Sequence, residues 1–162
     1  MTTYLVEHSR RIAAPARVAY DIIADYTDGH ARIIPPPWFT NLQVDAGGVG
    51  AGTKIHFDVR AFGMQQRVSA VVTEPEPGHV LVESYPDTGT ITRFIVEPAD
   101  NGRACTVTFS SSVVSRGGLL GVVERRVMTR FFRRVFDAEL GRLDDLARER
   151  AAQSSPVGGQ VT

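Results

Sequence analysis

From about Leu119 to Arg150 the chain carries one unbroken helical pattern, and no other feature constrains the fold as strongly. A helix of about 30 residues is about 45 Å long at 1.5 Å per residue. That is wider than a domain of 162 residues, so the helix must lie across a broad supporting surface. The residues before it read mostly as strands, which makes that surface a sheet. A sheet bent around one long helix leaves room for an apolar hollow between the two, and that is where functional residues are sought.

The strands are read from a period of two. Ile55, Phe57, Val59 and Ala61 alternate with His56, Asp58 and Arg60, the mark of a strand with one buried face. Further strands are expected at Tyr4–Ile12, about 66–73, 80–85, 90–97 and 104–114, with another opening at Trp38-Phe39. Turn signals separate them: Gly63, Pro75-Glu76-Pro77-Gly78, Pro86 to Gly89 and Asp100-Asn101-Gly102. Pro15 suits the first turn of a helix, and Val18, Ile22, Ile23 and Tyr26 recur at helical spacing. Asp28 is placed to cap a second short helix, which must end before Pro35-Pro36-Pro37. Those prolines read as a stiff extended connector. The resulting order is strand, two short helices, six strands, long helix. Short turns make neighbouring strands antiparallel. This is an α+β domain with a seven-stranded curved antiparallel sheet around a long C-terminal helix. The domain is expected to span 1–150, with 151–162 as a disordered tail containing Ser154-Ser155-Pro156 and Gly158-Gly159.

Composition removes several function classes. Eighteen basic residues balance eighteen acidic ones, so no whole-chain field gathers nucleic acid. The apolar share is 43% and the charged share 22%, an ordinary globular balance. Cys105 stands alone, which suits a reducing compartment. No leader-like segment or membrane-length apolar run is visible, and Lys54 is the only lysine among the basic residues. Bacterial cytoplasm is the expected setting. The histidines His8, His30, His56 and His79 lack metal-ligand spacing, and no metal or other cofactor is expected. Gly47 to Gly52 precedes a strand and lacks the lysine of a phosphate loop, so it is read as a flexible connection.

Several short stretches carry a family resemblance through their order and spacing. They are Ile12-Ala13-Ala14-Pro15, Ile23-Ala24-Asp25-Tyr26, Gly50-Ala51-Gly52-Thr53, Val72-Thr73-Glu74 with Pro77, and Phe94 to Pro98 before Gly102. Over about residues 4–150 the chain resembles the START-like (SRPBCC) superfamily of polyketide cyclase/dehydrase-type and lipid-transport proteins. The resemblance implies a helix-grip, Bet v 1-like fold with a hydrophobic ligand cavity. It implies no single chemistry, because related folds host carriers, cyclases and regulators.

Candidate site residues follow from that architecture. Tyr26, His30 and Trp38 flank the two-helix segment and proline connector, where the rim of a hollow would lie, and offer polar handles on apolar bodies. Phe57, Val59 and Phe94 are placed on the inner sheet face, and Val127 and Phe131 on the helix opposite. Thr92, Ser110, Ser112, Tyr85 and Arg93 can present polar groups; parity puts Arg93 opposite Phe94, and placing Phe94 and Val96 inside leaves Arg93 outward. His56, Asp58 and Arg60 are assigned to water. Glu139 and Arg142 fall three positions apart near the apolar arc and are paired with each other at the helix edge. Arg126, Arg130, Arg133 and Arg134 form a basic face open to an acidic protein partner. No paired acid and base appears on a predicted inward face, which favours a carrier of a small or medium hydrophobic ligand (polyketide-like, aromatic or lipid). A cyclase, aromatase or dehydratase using the same cavity is the alternative, and an interaction module using the arginine face is a third.

Overall fold

The computed structural model describes residues 2–154. Strand β1 (Thr2–Ile12) is followed by helices α1 (Ala16–Ala24) and α2 (Gly29–Ile33). Six strands come next: β2 (Phe39–Ala46), β3 (Lys54–Ala61), β4 (Met64–Glu76), β5 (Val80–Tyr85), β6 (Thr90–Ala99) and β7 (Ala104–Ser115). Helix α3 (Gly118–Ser154) is the last element among the described residues. One antiparallel sheet of order β1-β7-β6-β5-β4-β3-β2 contains every strand. Short hairpins join β3 through β7 in sequence, and only β1 returns across the molecule to pair with β7. This is the helix-grip arrangement expected from the sequence.

Alternation decides which face packs inward. On β6, Thr92, Phe94 and Val96 are buried while Arg93 is exposed. On β7, Cys105, Val107 and Phe109 point to the core. The C-terminal half of α3 lies on this face through Val135, Phe136, Leu140, Leu143 and Ala147, all buried. Their spacing of one, four, three and four residues is the helical stripe that one packed side requires. Helix α1 adds Ile22 and Ile23, both fully buried.

Several connections differ from expectation. Helix α3 runs to Ser154, so residues 151–154 of the expected tail are helical, and the rest of it lies outside the described residues. The proline connector folds back, with the Phe39 amide donating to the Pro35 carbonyl (3.2 Å). The glycine-rich segment is pinned rather than loose. Tyr26 N–H donates to Gly48 O (2.9 Å), Gly50 N–H to Ala24 O (2.9 Å) and Ala51 N–H to Glu74 (2.8 Å). A side chain at Gly50, where φ is +64°, would place its Cβ 2.4 Å from a Glu74 carboxylate oxygen. Glycine is needed there for both backbone conformation and space.

Asp58 also departs from the outward reading. It does lie on the outer face, yet it is buried. Its carboxylate accepts from Asn41 (2.8 Å), Arg67 (3.1 Å) and Gln65 (3.3 Å). These donors, Asn41 first and then Arg67, hold its carboxyl below the usual carboxylate range. His56 bonds Asp45 at 2.8 Å. The outer polar residues thus tie β2, β3 and β4 together.

Candidate functional site

A hollow of about 370 Å³ lies between the sheet and α3. Phe39, Phe57, Val59, Phe94, Phe132 and Phe136 supply much of its apolar wall. Phe57 meets Phe39 at 5.3 Å and Tyr85 at 6.2 Å between centroids by edge contacts, and Phe132 meets Phe136 in a tilted pair at 5.6 Å. Such edge-to-face packing favours a fixed aromatic wall. Phe62, Met64 and Glu124 are exposed and also line the hollow, so they mark its mouth.

The enclosed end is polar. Glu83 on β5, Glu139 on α3 and His30 on α2 converge there, all nearly inaccessible to water. Both tyrosine hydroxyls nearby donate to Glu83: Tyr26 to one oxygen at 2.6 Å, Tyr85 to the other. Two O–H donors aimed at both oxygens are what an ionised, acceptor-only carboxylate calls for. Burial first, then the charge of Glu83, hold both phenols well above their usual range, so each remains a donor. Glu139 meets the opposite demand. Burial and the neighbouring Glu83 charge raise its carboxyl well above the ordinary value, because two buried like charges cannot both be held cheaply. Glu139 is therefore the neutral acid of the pair.

His30 completes the cluster. Its Nδ1 lies 2.7 Å from the Ile23 carbonyl, an acceptor only, so Nδ1 carries a hydrogen and Nε2 faces the carboxyls. Nε2 is 3.7 Å from Glu83 and 3.8 Å from Glu139. The ring is stacked on Tyr26 at 4.3 Å and meets Phe94 edge-on at 5.7 Å, which fixes its plane. The short α2 sits where it can do this because the turn before it is held by Asp25. That carboxylate accepts from the Thr27 amide and hydroxyl and from the Asp28 amide. Asp28 itself makes no side-chain cap to the helix.

Of the residues singled out from the sequence, His30, Phe57, Val59, Phe94 and Phe131 line the hollow. Tyr26 stands behind the wall as the partner of Glu83. Trp38 is half-buried beneath the Arg134 guanidinium, 5.6 Å from its ring centroid, and away from the lining. Val127 is exposed on the outside. Thr92 does line the hollow and exchanges a 2.6 Å hydrogen bond with Ser111. Ser110 and Ser112 have the wrong parity, and Ser110 donates to Glu7 on the outer face. Glu139 does not pair with Arg142, which instead donates to the Arg32 carbonyl at 3.2 Å.

The inward acid–base cluster, whose absence favoured a carrier, is thus present. Glu83 was legible from parity, since it shares a strand face with the fully buried Leu81. Glu139 was legible as the charged residue inside the apolar stripe of α3. Their meeting, with His30, could not be read from one strand or one helix. Among the described residues no group of three or more histidine, cysteine and carboxylate side chains suits a metal ion.

The chain belongs to the polyketide cyclase/dehydrase and lipid transport family, whose model matches residues 4–148. Among solved structures it is similar to the KanY protein, at 23% identity over 91% of this chain and 99% of that one (TM-score 0.79). It is also similar to the Zhui aromatase/cyclase from Streptomyces sp. R1128, at 18% identity over 98% and 99% (TM-score 0.73). Norcoclaurine synthase from Thalictrum flavum, solved with dopamine and hydroxybenzaldehyde, matches at 17% identity over 91% and 88% (TM-score 0.67). At these identities the likeness is one of fold. Among curated proteins none matches the chain in sequence.

Proposed function

We propose that the hollow binds a small, largely apolar molecule carrying a hydroxyl or carbonyl group at one end. The observation that supports this most directly is the distribution of chemistry along its wall: aromatic and aliphatic over most of its length, with Glu83, Glu139, His30 and Thr92 gathered at the enclosed end. A volume of about 370 Å³ lies within the usual range of small-molecule sites, about 300–1,000 Å³. Apolar burial supplies affinity at roughly 25 cal/mol per Å², less the cost of ordering. The polar end supplies orientation. Family membership and the aromatase/cyclase fold neighbours agree with a hydrophobic guest of polyketide-like or aromatic type.

The test is direct. Freshly purified protein is examined by native mass spectrometry, and a panel of polyphenols, acyl chains and aromatic ketones is screened by thermal shift. A bound molecule or a raised melting temperature is expected, and Val59→Trp, which plugs the wall, should abolish either signal without unfolding the protein. Protein that is always empty and unmoved by the whole panel overturns the reading.

A second reading, a cyclase or dehydratase, is favoured by one specific observation: a neutral carboxyl and an imidazole Nε2 stand 3.8 Å apart on the wall. With a β-hydroxy carbonyl compound in place, Nε2 of His30 takes the proton beside the carbonyl. The Glu139 carboxyl protonates the departing hydroxyl, a carbon–carbon double bond forms and water leaves. Glu139→Gln should then retain binding and lose turnover, whereas a carrier shows no turnover in either protein.

A further inference from the structure

One side of the first half of α3 packs on the sheet, with Met128 and Phe132 against Tyr4, Val6 and Val113, and its other side is left uncovered. From Gly118 to Arg134 only Gly121 is buried. Leu119 and Leu120 are 89% and 84% exposed, and Val123 and Val127 are 61% and 44% exposed. Leu120, Val123, Val127 and Phe131 follow one another at spacings of three, four and four, so they form one stripe. The stripe ends at the mouth of the hollow, where Phe131 meets Phe62 at 5.5 Å beside the exposed Met64.

Charge is segregated onto the same segment. Residues 116–136 contain Arg116, Arg125, Arg126, Arg130, Arg133 and Arg134 against a single acid, Glu124, in a chain whose charges balance only as a whole. Arg125, Arg126, Arg130 and Arg133 line an open groove with Leu5 and Val122. An apolar stripe flanked by arginines is the composition of a helix that lies in a lipid interface, its arginine stems crossing the apolar layer to reach headgroups. Among the described residues no helix is long and apolar enough to cross a membrane. A second copy is a poor occupant, since two-fold pairing would set arginines against arginines. The exposed aliphatic side chains suit a soft layer better than the firm surface of an acidic protein.

We propose that the exposed face of the N-terminal half of α3, with the Phe62–Met64 turn beside it, docks on an anionic lipid bilayer. The surface stands whether or not the hollow takes a guest, so the two readings fail separately.

The full chain is co-sedimented with vesicles of phosphatidylcholine alone and of phosphatidylcholine with one-third phosphatidylglycerol. Binding is expected to the second only and should weaken as salt is raised. Arg126→Glu with Arg130→Glu should reduce it by at least about tenfold, and Val123→Asp with Val127→Asp should abolish it. A polarity-sensitive dye on Val123→Cys should shift to the blue on binding, a readout that does not depend on the charge-reversed variants folding. Four results overturn the proposal: no binding to anionic vesicles, binding indifferent to the aspartates, a solution dimer dispersed by Val123→Asp, or an acidic protein that occupies this face while vesicles do not.

Discussion

Glu139→Gln tests the electrostatics of the buried cluster more sharply than any other substitution. In the folded protein Glu139 keeps its proton to a pH well above the ordinary glutamic acid value, which is about 4.3 in an unfolded chain. Below that pH both states hold the proton and the group adds no pH dependence. Above it the unfolded chain loses the proton while the native one keeps it, so the native state binds more protons and stability falls as pH rises. The decline ends at the folded pKa, beyond which the penalty is constant. Its limiting slope is about 1.4 kcal/mol per pH unit for one proton.

Glutamine has no proton to lose. The difference in stability between Glu139→Gln and the parent should therefore grow in favour of the variant by up to about 1.4 kcal/mol for each pH unit above about 5. For a domain of this size that corresponds to about 3–6 °C in melting temperature per pH unit. Any packing change from the amide adds an offset that does not vary with pH. Calorimetric melts of both proteins at half-unit steps from pH 4 to 8 supply the comparison. A repeat in a His30→Asn background removes the ring that stands 3.8 Å away. Curves that stay parallel across the range would refute the assignment of Glu139 as the neutral acid.

Three further outcomes are expected. Tyr26→Phe removes one of the two hydroxyl donors to the buried Glu83 and should cost about 1.5–3 kcal/mol in urea unfolding, with an unchanged m-value. Asp58, held below the usual range by Asn41 and Arg67, contributes stability above its unfolded pKa of about 3.9 and loses it as pH falls through the folded value. Asp58→Asn should accordingly melt lower than the parent at pH 7, and the two should converge in acid. Burial and Asp144 push the Cys105 thiol up to about 11, so an aromatic disulfide reagent at pH 8 should modify it only when denaturant is added.

The architecture was legible because it rests on periodicities that are local. The alternation from Ile55 to Ala61 and the turn at Asp100-Asn101-Gly102 each state a geometry within a few residues. The family resemblance then set the order in space. Helix α3 was legible as one helix, yet its packing was not. Leu120 and Val127 continue the apolar pattern but are exposed, whereas Val135 and Phe136 are buried. A hydrophobic residue announces that it would favour burial, not that another element reaches it.

The polar cluster divides along the same line. Parity on β5 and the stripe on α3 determine that Glu83 and Glu139 face inward. What the sequence by itself cannot contain is that residues 83 and 139 both come within 4 Å of residue 30. That proximity depends on how far the sheet bends and where α2 rests between sheet and helix. Protonation follows from it, since the Glu139 carboxyl stays neutral only because burial and the Glu83 charge act on it together. Residue types and periods settled the folding pattern, while the site's charge states were decided by distances between elements remote in the chain.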